Sequence, residues 1–480
     1  MAQKFEACVT IIGRHAPPWP SGITPRTVER YAGVTMERWD DLLRPRSRTG
    51  LLTLAEAETR LGSVASELGA ERVKLGQSRA GRPVELVRIG AGPRRSFWYG
   101  GPHANEPLGI STIVELAERL AARPGLLAGD IGFDLLLCID PDAYVLNERW
   151  FAPIINMADY YRGFYRQAMD ECPDWDFPVV YRSTSGTLRR APKLPETLAL
   201  LSGLELSRPY VLNALHNAEL GGVHFCVLGA SDGLAQRLSA LPARFGMPRE
   251  EAMLDDPGAE PLAPGVFGLP DLTPAYEAVL QSGHEDPASL LPLGESAAAW
   301  CARFGTVTVV AEIPYWSASG QRFNAGETLG DLARGTARTL NEFAAWLDDF
   351  TVTHVAYLPM SDPHARSTLN AVGMMTRIAA GLGAWADSDA AKGPATSDAV
   401  ARYELMLGLC LPQRYRSMLF SALTTAQAPP SVTAAAEAAF QHGLDALATI
   451  PCTAYPVTEL IDIQLTAGLI ATDHVTSSAR

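Results

Sequence analysis

A chain of 480 residues that is 47% hydrophobic can bury a core large enough for two domains, or for one domain with an appendage. A formal net charge of −13 and a pI near 5.2 argue against nucleic acid or an anionic membrane surface as a partner. No window approaches ~18 continuous apolar residues, the N-terminal stretch lacks a signal-peptide core, and seven cysteines without a CxxC pair suit free thiols of a reducing cytoplasm.

Residues 1–52 are rich in Pro and Arg, with one helix expected across RTVERYAGVTMERWDDLL, and form a candidate N-terminal cap. A helix is expected in LTLAEAETRLGSVASEL, and GQSRAGRPVELVRIG, from Gly76 to Gly90, follows it. FWYGGPHANEPLG then places His103 and Glu106 three residues apart, just past an apolar strand and in a loop opened by Gly100, Gly101 and Pro102. An imidazole and a carboxylate so placed can converge on one zinc ion and await a third ligand, the donor set of a metallohydrolase. The next segment is helical by its spacing, with Ile110, Ile113, Val114, Ala117, Leu120 and Ala121 on one face.

FDLLLCI leads into DPDAY, and the stretch from LNERWF to YYRGFYRQ offers Asn147, Arg149, Arg162 and Arg166. Guanidinium groups suit bidentate carboxylate binding or an oxyanion, although these charge-rich surroundings favour ordinary ion pairs. PYVLNALHNAELGG is mostly apolar from Tyr210 to Leu215 and delivers His216 into a polar loop, as the candidate third ligand, with Asn217 beside it. His224 reads as a packed core or cleft residue, and His284 as part of a solvated loop. The proline-rich stretch from Pro248 to Pro292 reads as a substrate-facing surface or lid rather than as strand. TVTVVAEIPYW is a β-branched strand that ends on Glu312 among apolar residues. A carboxylate there suits the general base of zinc-assisted hydrolysis. Beyond about residue 350 the chain turns to Ala-, Leu- and Met-rich helical segments, whose apolar stripes suit a core or a dimer interface.

HxxE, a distant His after a strand and a late Glu after a strand resemble, in kind and order, the zinc carboxypeptidase family of carboxypeptidase A-like metallopeptidases. The separations, 216 − 103 = 113 and 312 − 216 = 96 residues, leave room for βα units between strands of one sheet. The resemblance covers residues 53 to 345. It implies an α/β catalytic domain, residues 53–348, of three layers (α/β/α) with a mixed central sheet, followed by an all-helical extension, residues 349–480. It implies zinc held by His103, Glu106 and His216, with Glu312 as base. The activity implied is release of a C-terminal amino acid from a peptide or peptide-like substrate, with no nucleic acid or membrane partner and with self-association through the C-terminal helices open.

The departures bear on substrate. Asp140 stands for the family's Asn, Ala143 for its Gly and Asn217 for its common Ser. The Asn-Arg pair that grips a terminal carboxylate is not found, so Arg149 and Arg166, with Asn147, are the candidates, and Tyr276 is a positional candidate for the capping Tyr. Two competing readings follow: a deacylase of N-acyl amino acids resembling aspartoacylase or succinylglutamate desuccinylase, and a catalytically silent peptide-binding protein.

Overall fold

The computed structural model describes Trp39, Leu42 and residues 50–250, 253, 259–269, 271–291, 293–318 and 326–478. The helix expected within residues 1–52 lies outside them, apart from Trp39 and Leu42, which are buried in the main core. Helix α1 (Leu54–Leu68) starts where the side chains of Thr53 and Glu56 cap each other's backbone and ends at Gly69, which takes the left-handed conformation. Strands β1 (Glu71–Gln77) and β2 (Pro83–Ile89) form an antiparallel hairpin, of which the stretch Gly76–Gly90 holds the end of β1, the turn and β2. Next come β3 (Arg94–Tyr99), α2 (Leu108–Ala121) and β4 (Ile131–Leu136). A separate hairpin, β5 (Val179–Ser183) and β6 (Gly186–Arg190), precedes α3 (Pro195–Ser207), β7 (Val211–His216), β8 (His224–Leu228) and α4 (Asp232–Arg244).

The proline-rich stretch contains two short strands, β9 (Pro261–Ala263) and β10 (Val266–Gly268), and the helix α5 (Thr273–Gln281). This corrects the reading of that region as lacking strands. Three-residue strands are too short to show alternation, and Pro261 is tolerated because β9 is an edge. Strand β11 (Val307–Glu312) completes a nine-stranded mixed sheet in the order β1-β2-β4-β3-β7-β11-β8-β10-β9. A short strand β12 (Trp316–Ala318) follows.

Alternation along the strands divides the core in two. Phe97, Tyr99, Leu212 and Ala214 face α3 with Leu200 and Leu204, whereas Trp98, Val211, Leu215, Val309 and Ala311 belong to the opposite cluster with α1, α2 and α4. The chain is therefore a three-layer α/β/α structure with additional helices. Those helices are α6 (Leu329–Thr353), α7 (Pro363–Ala386), α8 (Leu411–Thr425), α9 (Pro430–Ala448) and, after the strand β13 (Cys452–Ala454), α10 (Val457–Ser478). Residue 348 lies inside α6.

Helix α10 lies on the sheet itself, against α2, α4, β7 and β11. Gly468 makes this approach possible, because a Cβ there would stand 2.1 Å from the Trp98 ring. α10 also explains why α2 is buried almost all round instead of along one stripe: Thr112 donates to Gln464 and Arg119 to Asp462. Met375 is fully buried, and Met374, Ile378 and Leu382 pack against the core. No helix among the described residues is long and apolar enough to cross a membrane, and the six described cysteines form no disulfide.

Candidate metal centre

The turn that carries His103 and Glu106 joins β3 to α2. Gly101 sits there at φ 64°, and a Cβ on Gly100 would lie 2.9 Å from the backbone of Gly109, Ile110 and Leu137. Gln167 pins the turn by bonding Ala104 N and Pro102 O, each at 2.9 Å. His216 is the last residue of β7 and Glu312 the last of β11, in register across neighbouring parallel strands. The group thus assembles beyond the carboxyl ends of β3, β7 and β11, where α/β sheets place their sites.

His103, Glu106 and His216 offer ligand atoms that all lie within 4.8 Å of one another. They are 9%, 4% and 4% exposed. His103 Nδ1 stands 2.9 Å from Glu106 Oε1, and His216 Nδ1 stands 2.9 Å from Glu106 Oε2. Arg166 donates to Glu106 Oε1 at 2.7 Å and to Asn105 Oδ1 at 3.1 Å, while the Asn217 backbone N–H donates to Glu106 Oε2 at 3.2 Å.

Asp174 closes the far side of the rings, a role the sequence reading missed. Its Oδ2 is 3.4 Å from His216 Nε2 and its Oδ1 is 4.0 Å from His103 Nε2. Oδ1 has no hydrogen-bond partner among the described residues, although Asp174 is buried. An acid flanked by Pro173 and Trp175 was the available signal, since buried carboxylates need a partner.

The donor set suits zinc. The His216 Nε2–H turned to Asp174 at 3.4 Å favours the tautomer in which its Nδ1 lone pair faces the cluster centre, while His103 has only the charge of Asp174 at 4.0 Å beside its Nε2, so two nitrogens and a carboxylate would be available as a three-ligand set with an open position. Burial opposes charging Glu106, yet His103 and Arg166 hold its carboxyl well below the usual range. Burial likewise disfavours a charged His216, but hydrogen bonds to Asp174 and Glu106 outweigh it and raise its pKa well above the ordinary value. Burial and the nearby Arg166 depress His103.

Glu312 Oε1 lies 3.8 Å from His216 Nδ1, and its side chain is 22% exposed, against 11%, 5% and 5% for His103, Glu106 and His216. It therefore stands at the open edge of the group. Among the substrate candidates, Arg166 and Asn217 are brought to the centre. Asn217 also ties α2 to β11, accepting from Leu108 N and donating to Ile313 O. Arg149 and Asn147 are not brought there: Arg149 donates to Ser421, and Asn147 bonds Tyr165 and Trp150. Arg162 lies over the Phe440 ring. Tyr276 packs with Val179, Leu188 and Leu290, and its hydroxyl has no hydrogen-bond partner among the described residues. Asp140 caps Ala143 N and pairs with Arg79.

Two further features were not anticipated. Glu219, three residues past His216, accepts from Tyr160, Tyr161 and Arg414, which brings α8 against the loops of the centre. Gln464 of α10 donates to the His216 carbonyl at 2.8 Å. Of the other histidines, half-buried His224 faces the Gly222 carbonyl, and His284 lies in an exposed turn.

No family model and no curated protein matches the chain. Among solved structures, it is similar to a metallo-carboxypeptidase from Burkholderia cenocepacia, at 16% identity and a TM-score of 0.34 over 55% of this chain and 60% of that one. It is also similar to the carboxypeptidase A of Helicoverpa armigera, at 13% identity and a TM-score of 0.35 over 71% of this chain and 74% of that one.

Proposed function

We propose that the chain is a zinc-dependent hydrolase of an amide bond, working as a metallocarboxypeptidase that releases a C-terminal amino acid from a peptide or peptide-like substrate. The observation that carries this reading is Glu312 Oε1 at 3.8 Å from His216 Nδ1, on the open edge of a buried donor set of two imidazoles and a carboxylate. His103, Glu106 and His216 would hold zinc, which would supply Lewis acidity and lower the pKa of water at the open position towards ~7. Glu312 Oε1 accepts a proton from the attacking water and hands it to the leaving amine nitrogen. Asp174 holds the His216 imidazole in its ligating tautomer and sets a negative charge beside His103 Nε2. Arg166 carries a guanidinium to the same face and stabilises negative charge that develops on the substrate, an effect strengthened where water is excluded.

Zinc stoichiometry and turnover of paired peptides, with free and with amidated C-termini, test the reading. One zinc per chain and a preference of ~10²-fold or more for the free acid are expected, because amidation leaves a recognising cation without its charged partner. Protein that binds no zinc above trace overturns the metal site. Equal turnover of acid and amide overturns carboxylate-directed cleavage and turns the search to N-acyl amino acids.

A further inference from the structure

We infer that Gln464, on α10, is a positioning residue that sets the spacing between the elements carrying Glu106 and His216; the inference rests on the zinc reading above. Gln464 is completely buried on a helix whose neighbouring core residues are Ile461, Ile463 and Leu465. A primary amide in such surroundings is costly unless both its donor and its acceptor are satisfied. Its Oε1 lies 2.8 Å from Thr112 Oγ1, whose single proton it shares with the Leu108 carbonyl at 3.0 Å, and its Nε2 donates to the His216 carbonyl at 2.8 Å.

These two bonds join different parts of the centre. Thr112 lies in the first turns of α2, six residues past Glu106, and His216 is where β7 and its pairing with β11 end. The amide therefore bridges the element that delivers the carboxylate ligand and the strand that delivers the second imidazole. On the other side of the same junction, the Asn217 side chain joins Leu108 N to Ile313 O. His216 must keep Nδ1 aimed at the cluster and Nε2 at Asp174, so a small rotation of its backbone moves both ends of the ring. A tether on the carbonyl of the ligand residue itself resists that rotation.

The test uses the full chain. Gln464→Met keeps length and apolar contact while removing the donor. Zinc affinity by chelator competition should weaken ~10- to 100-fold, the usual cost of losing an outer partner of a metal ligand. In metal-free protein, amide exchange over residues 214–217 should quicken while the hairpin β1–β2 keeps its protection. Thr112→Val leaves Gln464 in place but removes the hydroxyl that orients it, so its smaller loss of affinity should not add to that of Gln464→Met in the double variant. Wild-type affinity and exchange in Gln464→Met overturn the inference, as does full additivity. If Gln464→Met does not fold, unchanged affinity and exchange in Thr112→Val overturn it. Should the wild-type chain bind no zinc, the functional reading fails, while exchange at 214–217 still decides whether Gln464 holds His216.

Discussion

Replacing Glu312 by Gln preserves volume and removes the proton acceptor, so turnover of a substrate should fall by at least ~10²-fold while zinc content stays at the wild-type level. Near-normal turnover in this variant would show that another group is the base. Asp174→Asn keeps the shape but loses the charge set against both Nε2 atoms, and zinc affinity should drop ~10- to 100-fold in a chelator titration. Full affinity would mean that the His216 tautomer is held by something else. The difference between these two acids shows what was legible. Glu312, like His103, Glu106 and His216, is announced by an apolar strand or by the turn that follows one, and the parallel strands β3, β7 and β11 of the mixed sheet end at one edge. Asp174 lies in a short helical turn, Pro173–Trp175, within an irregular stretch whose path past the histidines is decided by tertiary packing alone. Asn147 and Arg149 looked equally suitable for a substrate by residue type, yet the short helix Val145–Trp150 aims them at other partners.

Elements were readable where their own apolar pattern carried the signal. The helix α2, by its spacing, and the strands ending in His216 and Glu312, by their apolar and β-branched runs, fall in that class, whereas β9 and β10 do not. The polar flank of α2 reads as a solvated face until α10 is placed beside it. That packing makes a prediction of unusual sign. Gly→Ala in a helix ordinarily stabilises by about 1 kcal/mol, but a Cβ at Gly468 would meet Trp98 at 2.1 Å. Overpacking of this kind costs ~1–3 kcal/mol, so Gly468→Ala should lower the urea midpoint of the full chain. A raised midpoint would show that α10 is free to slide away from the sheet.

At the scale of the whole molecule, the segment beyond residue 350 had the composition of a separate module. Composition does not reveal that α10 is part of the sheet's cover or that α8 reaches the loops of the centre. The contact between these helices and the loops should be sensitive to acid. His364 of α7 packs edge-on against Tyr165, at 4.9 Å between ring centroids, and its Nε2 has no hydrogen-bond partner among the described residues. Burial is the main cause that lowers its pKa from 6.5 to about 4. The unfolded chain therefore takes up this proton first as pH falls. The contribution to stability is complete above pH 6.5 and is lost between 6.5 and about 4. It amounts to on the order of 3 kcal/mol. His364→Phe, which cannot take up the proton, should flatten the fall in urea midpoint between pH 7 and 4; an unchanged slope would assign the loss to other groups.

The position of α10 also governs the order of events during synthesis. The strands that build the sheet are complete by residue 312, but the helix that covers Trp98 and holds His216 is translated only after residue 456. At ~5–20 residues per second, a ribosome needs roughly 7–30 s to cross that interval, and for that time one face of the sheet lacks the part of its cover that α10 supplies. A nascent chain in this window exposes apolar surface of the kind that chaperones and proteases engage, and the junction between α2 and β7 is without its Gln464 bridge.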